Sequence, residues 1–192
     1  MNKNKRLQID VMQLFQSNYE VKTDKGSLSE FSVKFFGPEN SPYEEGVWDV
    51  LVQVPDEYPY KSPSIGFKNR IFHPNIDFDS GSVCLDVINQ TWSPVFNLIN
   101  IFDIFLPQLL LYPNPTDPLN HDAANLQTKD LEAYQKYAKE MVKKYALNKN
   151  YKKQNTTKNE NEDNNQDELS DLSGSEELSD LSGAEGFSDS DL

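Results

Sequence analysis

The sequence predicts an α+β fold, with an antiparallel sheet preceded and followed by helices. Three observations lead there. Apolar residues alternate with polar ones in three segments, Phe31 to Phe35, Trp48 to Val54 and Ile65 to Phe67, which is the pattern of strands with one buried face. The links between these segments are short, and no ten-residue helix intervenes, which excludes βαβ crossovers and a Rossmann arrangement. Three-to-four-residue periodicity appears outside the strand region, near residues 3–16, 98–111 and 131–147.

In order, the first helix (3–16) carries Leu7, Val11, Leu14 and Phe15 on one face. Lys3, Lys5 and Arg6 stand at its start, the unfavourable end for positive charge near a helix dipole. The cluster Gly37-Pro38-Glu39-Asn40-Ser41-Pro42 is a turn between the first two strands. Tyr58-Pro59-Tyr60-Lys61-Ser62-Pro63 contains two prolines and reads as a stiff, protruding loop, the alternative being that Tyr60 packs on its prolines. From Leu98 to Leu111 apolar residues (Ile99, Ile101, Phe102, Ile104, Phe105, Leu106, Leu109, Leu110) cover nearly all faces, so this helix is expected to be buried on several sides, with Pro107 kinking it or marking its last turn. The three prolines of Tyr112 to Pro118 make another rigid loop. A last helix, 131–147, turns Tyr134, Ala138, Met141, Val142 and Tyr145 inward and keeps Lys136, Lys139, Lys143 and Lys144 in water.

The charge is unevenly placed. The net charge is −13, but twelve Asp/Glu and no Lys or Arg follow Lys158, leaving nineteen acids against eighteen bases in residues 1–158. A near-neutral body gives no support for nucleic-acid binding, which needs clustered Lys and Arg. No apolar run reaches the length of a membrane span, and no apolar stretch follows the basic N-terminus as in a signal peptide. With a single cysteine, these features point to a reducing compartment, cytoplasmic or nuclear. Beyond Lys153 the chain has too few large apolar residues to offset its entropy, and disorder is expected. It repeats Glu-Leu-Ser-Asp-Leu-Ser-Gly at 168–174 and 177–183, too few copies for a solenoid and more like a tandem linear motif.

The one cysteine, Cys84, cannot form an internal disulfide, so it either packs as a small hydrophobe or reacts. Its surroundings carry four motifs: His73-Pro74-Asn75; Val83-Cys84-Leu85-Asp86; Trp92-Ser93-Pro94; and Pro113-Asn114-Pro115-Thr116-Asp117-Pro118-Leu119. In order and nearly in spacing, these resemble the ubiquitin-conjugating (E2) enzymes, over about residues 3–147. The wording around Cys84 and the acidic tail resemble the H-type branch.

The resemblance implies the ubiquitin-conjugating fold, with an N-terminal helix, a four-stranded antiparallel meander, a central buried helix and C-terminal helices. It implies a catalytic domain over 1–150 and a disordered acidic tail over 151–192. It also implies that Cys84 accepts ubiquitin from an activating enzyme (E1) as a thioester and passes it to substrate lysines with a RING-type ligase (E3). No cofactor is then bound, because the activating enzyme uses the ATP. In the same way Asp86 and Asp117 fall near the thiol, and Leu119 and Asn114 fall at the ubiquitin gate. Lys5, Arg6, Tyr60, Ser93 and Pro94 fall at partner-binding positions, and His73 and Pro74 are structural. Two departures stand out: the loop between Asn75 and Cys84 is one residue longer than in many relatives, adding Asp77 and Asp79, and Thr116 replaces a common acid.

The residues bear on this chemistry independently. A free thiol with pKa near 8.5 is only about 3 % thiolate at pH 7. A protease would add a histidine base, but nothing supports a dyad of Cys84 with His73 or His121. No base is needed if the incoming group is already a thioester, since thiol-for-thiol exchange is nearly isoenergetic. Attack by lysine is the harder step. The Asn75 amide can donate to the developing oxyanion, or it can pin the loop by bonding backbone, and the residue type alone does not choose. A carboxylate at Asp86 or Asp117 can orient the amine, or can merely cap a turn. Ser93 can likewise be an ordinary helix cap. One cysteine and two separated histidines do not make a zinc set, and no phosphate-binding glycine loop is present. Rival functions are the same chemistry with another ubiquitin-like modifier, or a non-catalytic adaptor acting through the acidic tail on basic proteins. Acid-directed phosphorylation at Ser173, Ser182 and Ser188 would deepen the tail's charge.

Overall fold

A computed structural model describes residues 3–23 and 26–148. The expectations for the acidic tail, its repeat and its serines fall outside these residues, as does the side chain of Lys3.

Helix α1 (Lys3–Gln16) leads into a four-stranded antiparallel sheet, β1 (Val21–Thr23), β2 (Glu30–Phe36), β3 (Val47–Gln53) and β4 (Ser64–Phe67), in the order β1-β2-β3-β4. The register pairs Val33 with Val50 and Val52 with Ile65, so the alternating residues share one face. Phe31, Val33, Phe35, Trp48, Val50, Val52, Ile65 and Phe67 are all buried on it, and burial of each such side chain contributes roughly 1.5–3 kcal/mol. The helices that follow the sheet are α2 (Leu85–Thr91), α3 (Leu106–Leu111), α4 (His121–Lys129) and α5 (Leu131–Tyr145), with a π-helical turn at Ile101–Phe105 leading into α3. Strands β2, β3 and β4 are those of the alternating pattern; β1 carries no such alternation, and the four-stranded meander is the one the resemblance implies.

Several elements differ from their sequence expectation. In α1, Leu7, Val11 and Leu14 are buried, but Phe15 is half exposed because it stands one residue past the inward stripe. The central helix is buried on several sides as expected, through Ile101, Phe102, Leu106, Leu109 and Leu110, and leaves Ile104 exposed. Pro107 does not fall in the last turn of the helix. It sits at the start of α3, directly after the π turn, where the Leu106 N–H reaches back to the Ile101 carbonyl. A wider turn there accommodates a residue that has no N–H to give and a ring that needs room. The last helix ends at Tyr145, with its predicted inward and lysine-bearing faces as expected. Two short helices have no signal in the apolar pattern: α2 buries only Ile88, and α4 packs through Ala123 and Ala124. α4 is started by the Asn120 side chain, which accepts from the Ala123 N–H at 3.0 Å.

Candidate active site

Chain reversal at His73–Asn75 builds the site. The His73 ring is fully buried: its Nδ1 accepts the Asn75 backbone N–H at 3.0 Å, and its Nε2 lies 3.0 Å from the Leu109 carbonyl. One nitrogen must accept and the other donate, so the ring is neutral with its proton on Nε2. Burial pulls its pKa down to about 4. This histidine joins the turn to α3 and is no base for the thiol, in keeping with its structural assignment.

The next two residues hold everything else at the site. The Pro74 carbonyl accepts two N–H groups, from Leu119 and Asn120, each at 2.9 Å. The Asn75 carbonyl accepts the Cys84 N–H at 3.0 Å. The Asn75 side chain is wholly buried and bonds the backbone of Asn114 twice, Nδ2 donating to its carbonyl at 2.6 Å and Oδ1 accepting its N–H at 2.8 Å. Of the two roles open to Asn75, this geometry performs the pinning one. Asn114 itself closes the loop, its side-chain oxygen accepting the N–H and hydroxyl of Thr116 at 3.0 and 2.7 Å. Asp117 is exposed between these two anchors, in a segment that is bonded to the turn on both sides.

Cys84 stands at the N-cap of α2 and is 8 % exposed. Cys84 is therefore more covered than a solvent-open rim position, but it stands outside the packed apolar core, and Leu85 and Asp86 next to it are exposed. On the other side of α2 an apolar cavity of about 350 Å³ opens between Ile88, Trp92, Phe96, Ile101 and Ile104. The long loop ahead of the cysteine is self-contained. Asp77 Oδ1 accepts the Ser80 N–H and hydroxyl, which holds its carboxyl below the usual range, and Asp79 pairs with Arg70 at 3.1 Å. Asp77 thus closes the loop, while Asp79 stays exposed beside Arg70. Gly81 has φ +72°, and a Cβ there would lie 1.9 Å from the Phe67 carbonyl oxygen, so only glycine lets the loop lie against β4.

The predicted partner positions divide. Tyr60 is 76 % exposed and does not pack on its prolines. Pro94 is exposed and Ser93 half-buried, and the loop continues into exposed Val95 and Phe96, two apolar positions not anticipated from the motif. Lys5 is exposed. Arg6 is turned inward instead: its Nε donates to Asp10 at 2.7 Å and its Nη2 to the Phe96 carbonyl at 2.8 Å. Asp10 was missed from the sequence, though a carboxylate on the Leu7-Val11-Leu14 stripe, four residues after an arginine, is the signature of a buried pair. His121 is exposed at the start of α4, and among the described residues no three His, Cys, Asp or Glu groups converge to hold a metal ion.

An antiparallel sheet, one cysteine at a helix start and a turn that bonds both the cysteine segment and the Leu119–Asn120 segment make up the site. The family model for ubiquitin-conjugating enzymes matches residues 3–142, and the chain belongs to that family. It is similar to "Ubiquitin-conjugating enzyme E2-23 kDa" of Triticum aestivum, 58 % identical over 142 residues that cover 74 % of this chain and 77 % of the relative. "Ubiquitin-conjugating enzyme E2-24 kDa" of Saccharomyces cerevisiae is 54 % identical over 147 residues, covering 77 % and 67 %. A solved E2 domain of a Toxoplasma gondii ubiquitin conjugating enzyme superposes with a TM-score of 0.67 at 26 % identity, over 74 % of this chain and 98 % of that one. The protein is a transferase of the ubiquitin pathway, whose family works with ubiquitin, an activating enzyme and a ligase. A different modifier and a purely adaptor role gain no support from these relatives.

Proposed function

We propose that Cys84 is the residue that carries ubiquitin. Its thiolate attacks the thioester on the activating enzyme, a new C–S bond forms at Cys84, and the activating enzyme's thiolate leaves. A substrate lysine then attacks the carbonyl, the C–N bond forms, the Cys84 sulfur leaves with the electron pair, and the ammonium proton passes to solvent or to an exposed carboxylate, Asp86 or Asp117. The observation that carries this reading is the turn at His73–Asn75, whose backbone and side chains bind the Cys84 segment and the Asn114–Asn120 segment together. Held this way, thiol and incoming amine react as neighbours.

Asn75 sets the facing loop in the resting protein. As oxyanion donor it acts through the second Nδ2 hydrogen, the first staying on the Asn114 carbonyl. Leu119, 42 % exposed and bonded through its N–H to the turn, covers the thioester or the ubiquitin tail. Tyr60 with Ser93–Phe96 receives a RING-type ligase, supported by their exposure. The H-type branch, lysine-bearing substrates of basic character, ATP use by the activating partner alone and a cytoplasmic or nuclear setting complete the proposal. They rest on the wording around Cys84, the acidic residues after Lys158 and the single cysteine. Incubation with activating enzyme, ATP and ubiquitin is expected to yield an adduct of one ubiquitin that a reductant removes. Cys84→Ala should give none, and Cys84→Lys should give a reductant-resistant amide. An adduct that survives in Cys84→Ala would refute the assignment.

A further inference from the structure

A covered polar node ties α1 to the two loops beside it. Asp10 is 2 % exposed, and its Oδ2 accepts both the Arg6 guanidinium at 2.7 Å and the hydroxyl of Tyr58, itself 1 % exposed. The same Arg6 donates its Nη2 to the Phe96 carbonyl at 2.8 Å. The circuit closes between the loops, where Trp92 Nε1 donates to the Pro59 carbonyl at 2.9 Å and the Trp92 ring lies 5.9 Å from Tyr58 and 6.4 Å from Phe96. Tyr60 and Val95 stand out at the two tips, 76 % and 80 % exposed.

A buried ion pair adds little net stability over apolar packing, because desolvation offsets its attraction, but it is directional. Here the direction runs from helix to both loops. We propose that Arg6, Asp10 and Tyr58 form a positioning strut that sets the spacing of the Tyr60 and Ser93–Phe96 loops, so that Arg6 acts on ligase docking through these loops and not by touching the partner. This rests on the reading that the loops receive a RING-type ligase. Lys5 has no such inward role: it is exposed, while the Arg6 side chain is only 19 % exposed and spends two of its nitrogens on groups of the protein itself. Loops held at their bound spacing lose less freedom on docking, which is how an internal strut raises affinity.

Tyr58→Phe tests this, since it removes one hydroxyl from a residue too buried to meet a partner. The probe is a purified RING domain chosen because it accelerates ubiquitin discharge from the wild-type protein to free lysine. In Tyr58→Phe the RING concentration for half-maximal acceleration should rise about tenfold, the scale of one lost bond to a charged group. The plateau rate and thioester formation at saturating activating enzyme should stay at wild-type values. Hydrogen exchange at the Trp92 indole N–H should quicken alongside. Arg6→Lys, which keeps the charge and loses the two-armed reach, should shift the RING concentration similarly, and the double variant should shift it by less than the product of the two. Wild-type RING dependence in Tyr58→Phe beside a weakened Arg6→Lys would make Arg6 a direct contact and overturn the strut. If no RING domain accelerates the wild type, the ligase reading fails, and unchanged indole exchange in Tyr58→Phe overturns the strut by itself.

Discussion

His73 shows how one buried side chain sets a pH response. It is neutral in the fold with a pKa of about 4, and in the unfolded chain it titrates near 6.5. Between those values the unfolded chain binds the extra proton, so stability rises with pH there. The contribution, about 3 kcal/mol, is whole above pH 6.5, shrinks as the pH falls and is gone below pH 4. Urea unfolding between pH 7 and pH 5 should show this loss, and His73→Gln, though less stable throughout, should show a flatter dependence over that interval. Asn75→Ala removes both bonds to Asn114 and should cost about 1–3 kcal/mol in the same assay. It should still charge with ubiquitin but discharge to lysine slowly. A variant that discharges at the wild-type rate would show that neither pinning nor oxyanion donation limits transfer. That His73 and Asn75 matter was legible in the tripeptide motif. Which atoms they bond was not, because their partners, Leu109 and Asn114, lie more than thirty residues away.

At the scale of elements, local signals worked where an element buries large side chains and failed where it does not. β2, β3, β4 and α5 declare themselves because Phe31, Val50, Ile65, Tyr134 and Val142 recur with the right period, whereas β1, which buries no side chain, does not. α2 is invisible because a single residue, Ile88, anchors it, and α4 because alanines do the packing. Both are placed by their ends: the Asn120 side chain caps α4, and Asn120→Ala should cost about 1 kcal/mol of unfolding free energy without moving the thiol. The loop before Cys84 depends on its glycine. Gly81→Ala puts a side chain at positive φ and against the Phe67 carbonyl, and a loss of about 2–3 kcal/mol in thermal or urea unfolding is expected.

For the whole molecule, the charge asymmetry separates two kinds of chain. Residues 1–158 are near neutral, and everything acidic that follows lacks a counter-charge. Truncation after Lys158 should leave thioester formation at its wild-type rate in a single-turnover charging assay, and a failure to charge would mean that the domain does not act alone. Sequence by itself determined the fold class, the family and the cysteine, because strand alternation and four ordered motifs are local patterns that survive without coordinates. Only the tertiary structure decided how far Cys84 is covered, that Asn75 holds the facing loop and that Arg6 reaches the Phe96 carbonyl. Those outcomes depend on which distant groups meet, and hydrogen bonds that span tens of residues leave no periodic trace in the chain that makes them.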